Sequence, residues 1–297
     1  MLSLMLLTWS ALAAPSLLPS GSSAVYGGVG VSTWRWGMSG NRRDPAAIGR
    51  VDTWAGHGLG DHLQLTGGVP LVASAIVGST PHPPCPRASD DDDYCDGVVS
   101  LGDAHALLHV GTRWRRVEGR LAAGPRTDVL TAGTRTRYVN VGQGTWGGLL
   151  EGSLGVAHQG LSAFVEGRYV ARLGRPVDGL PGRYPSDAAQ GTVAAAGRSG
   201  AFTLQLAVHG HRQLRGVEYG PVYLQRYYDT PERWGVVAFR QVRAEGKLSW
   251  ATSDRSGVHL TVSRAVHTRN GPHDHADVGL GMHLWFPPPE ERRSPTR

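Results

Sequence analysis

The residues most capable of chemistry lie near the C-terminal end, where His267, His273, Asp274 and His275 are followed by Asp277. Imidazoles and carboxylates at this density are ligands for Zn²⁺ or Cu²⁺, and in an extended chain His273 and His275 share a face. A polar external loop accounts for the same composition, and no metal site is assigned. Asp90, Asp91, Asp92 and Asp93, with Asp96, supply the oxygens a hard cation wants. They lack the spaced ligands and the glycine of a calcium loop, and read as a solvated surface loop. Cys85 and Cys95 have no further thiol or adjacent histidine to complete a zinc site. Serines and histidines are scattered without a G-x-S-x-G elbow. No catalytic residue and no cofactor is assigned, and the chain reads as a non-enzyme.

A second set of charges shows more order. Arg113, Arg115, Arg168, Arg172, Arg243 and Lys247, with Glu151, Glu166 and Glu245, alternate with apolar residues. So do His209 and His211. Such charges cost little where water or a counter-charge meets them, whereas Arg or Lys facing mid-membrane costs roughly 2–4 kcal/mol. Two uses follow: Arg–Glu pairs across neighbouring strands that fill a narrow interior, or a mildly anion-favouring path through it.

The elements that would position these residues are strands. From His275 to Phe286 the residues Ala276, Val278, Leu280, Met282, Leu284 and Phe286 occupy every second position, with Asp277, Gly279, Gly281, His283 and Trp285 between. A helix would scatter that apolar set, whereas a strand puts it on one face. Ala104, Ala106, Leu108, Val110, Thr112 and Trp114 repeat the pattern, opposite His105, His109, Arg113 and Arg115. Similar segments span residues 25–36, 50–57, 63–71, 118–125, 146–156, 161–171, 192–198, 202–211, 236–250 and 258–266. Tight turns are expected at Gly58-Leu59-Gly60-Asp61, near Arg116, at Gln159-Gly160, at Ser199-Gly200 and at 254–257. Long connections alternate with them, at 74–100, 173–190 and 214–231 among others. The sum is about twelve strands in about six hairpins.

Composition narrows the class. The 297 residues include 42 Gly and only 4 Phe, and no convincing amphipathic helix is present. A mean hydropathy of −0.24 argues against a helical membrane protein. It suits a transmembrane barrel, in which only alternate residues meet lipid. In lipid every backbone N–H and C=O must be paired, so a strand-built span closes on itself. The net charge of +6 has no basic helix or nucleic-acid motif beside it. Nucleic acid is therefore not an expected partner. Residues 1–13 read as a signal peptide, with Ala11-Leu12-Ala13 as the cleavage site, although no Lys or Arg precedes the apolar run. In an exported chain Cys85 and Cys95 are expected to form a disulfide across one loop. Residues 24–286 form the expected barrel, and 287–297 a tail that Pro287, Pro288 and Pro289 keep out of the sheet.

A family resemblance points the same way. Gly58-Leu59-Gly60-Asp61-His62-Leu63-Gln64-Leu65, running on to Val69-Pro70-Leu71, resembles the G-L-x-D turn and V-P-ending strand of bacterial outer-membrane channel-like proteins. Cys85, Cys95 and Ser100-Leu101-Gly102-Asp103 are similar to that family's cysteine-containing loop and second G-D strand. The family is labelled as outer-membrane transporters linked with the meta-pathway of phenol degradation. The final aromatic, Phe286, is also what the last strand of such barrels commonly carries. The resemblance implies an up-and-down antiparallel barrel and a small, hydrophobic cargo.

The reading is therefore an all-β transmembrane barrel of the bacterial outer membrane, a channel or transporter for a small molecule. Its expected surroundings are outer-membrane lipids, lipopolysaccharide and the outer-membrane assembly machinery. An outer-membrane lipid hydrolase and a secreted β-sandwich binding module are the alternatives.

Overall fold

The structure, a computed structural model, describes residues 17–36, 44–76, 96–127, 146–173, 187–215, 240–269 and 273–288. The proposed signal peptide, Cys85, Cys95, the run Asp90–Asp93 and the last nine residues lie outside them. The strands are β1 (Ser23–Trp36), β2 (Asp44–Gly60), β3 (Leu63–Ile76), β4 (Asp96–Leu101), β5 (Ala104–Trp114), β6 (Val117–Thr127) and β7 (Trp146–His158). They continue as β8 (Leu161–Leu173), β9 (Asp187–Ser199), β10 (Phe202–Arg215), β11 (Arg240–Ser253), β12 (Ser256–Arg269) and β13 (His273–Phe286).

All pairings are antiparallel between chain neighbours, and the ring closes where β1 meets β13, from Ser23 opposite Phe286 to Val31 opposite Val278 and beyond. Closure removes both sheet edges and so excludes the sandwich alternative. β4 and β5 are two halves of one barrel strand, because β3 pairs with β5 through its first half and with β4 through its second. The barrel therefore has twelve strands.

The break between those halves is written in Pro70 and Gly102. Pro70 has no N–H to give to a ladder, and it sits where β3 changes partner. There Gly102 donates its N–H to the Pro70 carbonyl at 2.6 Å. Asp103, at the corner, is buried and paired with Arg126. The V-P motif thus marks a dislocation inside a strand that runs on to Ile76, rather than a strand end.

Several other boundaries move outward relative to the sequence reading. β2 begins at Asp44 and continues through Gly58 to Gly60, leaving Asp61-His62 as the turn. Asp187–Gln190 belong to β9, while 74–76 and 96–100 belong to β3 and β4. His267 lies in β12, and His273 and His275 lie in β13, so these three histidines are strand residues rather than loop residues. The polar composition of these segments hid them, since strands of 13–14 residues exceed the roughly 9–11 needed to cross lipid. The β7–β8 turn has positive φ at Gln159 (48°) and Gly160 (82°), the two-residue geometry that matches strand twist.

Alternation sorts the side chains. Val29, Leu65, Val110, Leu150, Val165, Leu206, Val262 and Leu280 all face outward and are exposed, an apolar belt where lipid is the solvent. Their inward neighbours include buried Gln, His, Arg and Glu. The short turns and both described ends share one rim, the periplasmic one by the usual rule of short periplasmic turns and long external loops. A ring of aromatics on that rim includes Trp114, Phe202, Trp250 and Phe286, with Phe202 and Trp250 stacked at 6.2 Å.

Unboiled protein is expected to migrate anomalously in a denaturing gel and to shift on heating. Leu280→Arg, on the lipid face of β13, is expected to cost about 2–4 kcal/mol of stability, read from urea unfolding in phospholipid vesicles.

Candidate functional site: a polar lumen with a periplasmic vestibule

At the periplasmic mouth the chain ahead of β1 turns into the barrel. Gly21, at φ 73°, allows the bend. Its N–H meets the Gly58 carbonyl at 2.8 Å, and the Gly58 N–H meets Ser22 O at 2.9 Å. Leu18 is then buried inside, its N–H donated to Gln64 Oε1 at 2.8 Å. Gly56 and Gly111 make room for it: a Cβ on Gly56 would stand 3.3 Å from Leu18, and one on Gly111 3.0 Å from Leu17. Around this segment lies a cavity of about 890 Å³, lined among others by Leu17, Leu18, Arg113, Arg120, Phe164, Glu166, Gln205 and Lys247.

Above the vestibule the lumen is crossed by ion pairs between strands. Arg168 and Glu151 are 2.5 Å apart and Arg120 and Glu166 3.4 Å, while within β2 Arg50 pairs with Asp52. His209 lies 3.3 Å from Glu245 and hydrogen-bonds Thr192 at 3.0 Å. Lys247 is buried beside this group. The free space in the band includes two pockets of about 100 and 130 Å³, both with Asp52 on the wall.

Nearer the outer rim Asp277 collects three donors: Arg243 at 2.6 Å, Ser263 at 2.5 Å and His275 at 2.8 Å. A hydrolase would need the imidazole between the hydroxyl and the carboxylate. Here Asp277 is the centre, with Ser263 and His275 on its two oxygens, which makes it a node that ties β11, β12 and β13 together.

Two features of the wall are not ionic. Trp54, Tyr26 and His259 stack from β2 across β1 to β12, with ring centroids 6.3 and 5.4 Å apart. The Tyr26 hydroxyl meets His259 Nε2 at 3.2 Å. The rings lie flat over the backbones of β1 and β13: a Cβ on Gly28 would stand 2.9 Å from the Tyr26 ring, and one on Gly281 2.7 Å from His259. On the other wall Leu107, Ala122, Leu149, Val170 and Ala188 form an apolar strip across β5–β9. Both walls together make the interior amphipathic.

Of the residues singled out from the sequence, Glu166, Arg168, Arg172, His209, His211, Arg243, Glu245 and Lys247 face inward. Arg113 stands at the periplasmic rim, exposed but 3.1 Å from Glu118. Arg115 is not on the lumen face. It is a turn residue at φ 55°, exposed, with its guanidinium 5.2 Å over the Trp114 ring. The alternation that placed it inside stops one residue earlier, at the end of β5. His267 faces out while His275 is buried inward, so these two cannot ligate one ion. Among the described residues no three His, Cys, Asp or Glu side chains converge as a metal site.

Sequence reasoning missed Arg50–Asp52, Arg126–Asp103, the aromatic stack and the inserted N-terminal segment. Partners on different strands carry no local signal, whereas Arg50 and Asp52, two apart on β2, were legible as a same-face pair. The dense glycines of β1 and β13 were the available hint of rings lying over the backbone.

No family model matches the chain, and neither does any curated protein sequence. Among solved structures the COG4313 outer membrane channel from Pseudomonas putida F1 superposes with a TM-score of 0.67, at 13% identity, over 94% of this chain and 100% of that one. The Ralstonia pickettii toluene transporter TbuX gives 0.47 at 10% identity, over 91% of this chain and 90% of the other. The CymD monoaromatic hydrocarbon channel gives 0.43, also at 10%, over 91% and 89%. The first likeness, at that identity, is one of fold. With the apolar belt and the closed ring, it makes this chain a bacterial outer-membrane β-barrel.

Glu151→Gln removes one partner of an inward Arg168, which keeps Glu166 nearby, and the loss is expected to be below the roughly 3 kcal/mol of a fully orphaned buried charge. Urea unfolding in vesicles should show it, with part of the stability recovered in Glu151→Gln/Arg168→Gln.

Proposed function

We propose that the protein is a narrow outer-membrane channel for small organic molecules of mixed polarity. The observation that carries this reading is the vestibule of about 890 Å³, continuous with a lumen whose walls are amphipathic. A barrel serving only as a scaffold has no need of an open mouth. A general water-filled porin has no need of a band in which ion pairs leave pockets of only about 100 and 130 Å³.

The aromatic stack and the apolar strip give a ring-bearing or short aliphatic solute a surface to slide along. The paired charges screen one another, so they admit a polar substituent without a strong preference for one sign. Both the mild anion preference and the hydrophobic cargo implied by the family resemblance are contained in this reading. The cargo is a small molecule with one apolar face and one polar group. The disulfide between Cys85 and Cys95 and the removal of residues 1–13 on export are part of the same proposal.

The test is uptake into liposomes holding the folded full-length protein. Small aromatic acids and alcohols are expected to enter, and disaccharides are expected to stay out. Tyr26→Ala, which breaks the stack, is expected to slow aromatic solutes more than aliphatic ones of equal size. Equal rates for wild-type and empty liposomes would overturn the channel reading.

A further inference from the structure

We propose that the outward face of β10, β11 and β12, at its outer-leaflet end, binds the phosphate groups of lipopolysaccharide through Arg212, Arg240 and Arg269. These residues stand side by side. Arg212 is directly opposite Arg240, and Arg240 directly opposite Arg269. All three are exposed. Their chain neighbours fix their direction: His211, Gln213 and Gln241 are buried in the lumen, and Gln241 donates to Thr268 at 3.3 Å. The arginines therefore point away from the lumen.

Like charges directly opposite one another destabilise a sheet, so a row of three requires a counter-charge. Among the side chains described no carboxylate supplies it, since their ion pairs lie in the lumen or on the periplasmic rim. Arg264, five residues down β12, faces the same way and is exposed. Among the strand residues whose side chains are described, these four are the Arg or Lys side chains on the outward face, and they fall on three consecutive strands. At its outer end, the wall of β7 and β8 carries Trp146 and Tyr169 instead.

Depth identifies the ligand. Phe202 opposite Trp250 marks the periplasmic aromatic ring, and Arg212 opposite Arg240 lies ten residues further along both strands. At about 3.3 Å per residue and a tilt near 40°, that is about 25 Å of height, the height of the apolar band. The arginines therefore sit at the headgroup level of the outer leaflet. Guanidinium groups match phosphate oxygens bidentately. Three strands about 4.8 Å apart spread the row over about 10 Å. That is wider than one phosphodiester can cover, and it suits a disaccharide carrying a phosphate at each end, as the lipid A part of lipopolysaccharide does.

The test uses the full-length protein folded into phosphatidylcholine vesicles containing lipid A, its dephosphorylated form, or phosphatidylglycerol at equal charge. Lipid A is expected to raise the urea midpoint of the wild type more than either alternative. In R212Q/R240Q/R269Q the gain should disappear, and in the triple Lys variant part of it should remain. Lipid A should also co-purify from outer membranes with the wild type and be depleted in the triple variant. Should the triple variant fail to fold, R240Q alone, the middle of the row, is expected to lose most of the gain. An equal gain in wild type and variants overturns the proposal. Phosphatidylglycerol matching lipid A overturns the assignment to lipopolysaccharide. Neither outcome bears on what passes through the lumen.

Discussion

A chain crossing lipid as strands has nowhere to leave an amide unpaired, and the rest of this molecule follows from that constraint. Closing β1 on β13 satisfies it. A closed cylinder has two solvents, hydrocarbon outside and water or protein within, and the pleat sends alternate residues to each. Charges that would be prohibitive outside become usable inside, where a partner on the neighbouring strand is never more than a side chain away. The interior ion pairs follow from the geometry of closure and bring the lumen down to molecular width.

That division explains what could be read in advance. Periodicity is local and survives in the sequence, so Leu280, Met282 and Leu284 announced a strand and a lipid face unaided. The strand count and the hairpin order followed from turns such as Gln159-Gly160. Pairing is not local. Nothing near Asp103 names Arg126 as its partner, and nothing near Tyr26 names Trp54 or His259. Ends were hard for a different reason. Beyond the bilayer the outward face no longer has to be apolar, so Asp44–Gly49 and Asp187–Gln190 lost the signature that identified the centre of each strand. Arg115 shows the opposite error, in which alternation was carried one residue past the point where the backbone turned.

The N-terminal segment shows how a barrel can use chain that belongs to no strand. Leu17 and Leu18 are apolar residues taken out of water without being put into lipid, and Gln64 holds the backbone that brings them in. Glycines at 56, 58 and 111 are small because this segment rests on them. The vestibule owes its shape to the wall and to this inward fold together.

The dislocation at Pro70 and Gly102 separates the outer portion of one staple of the ring from the remainder. Among the described residues β4 is laddered only to β3, whose other side stays in register with β2, so the spacing of β4 need not agree with the register held lower down by β5 and β6. The external end of this staple can be lengthened, shortened or exchanged without sending a slip around the cylinder. Variation in what the cell surface meets is thereby uncoupled from the geometry of the part that spans the bilayer.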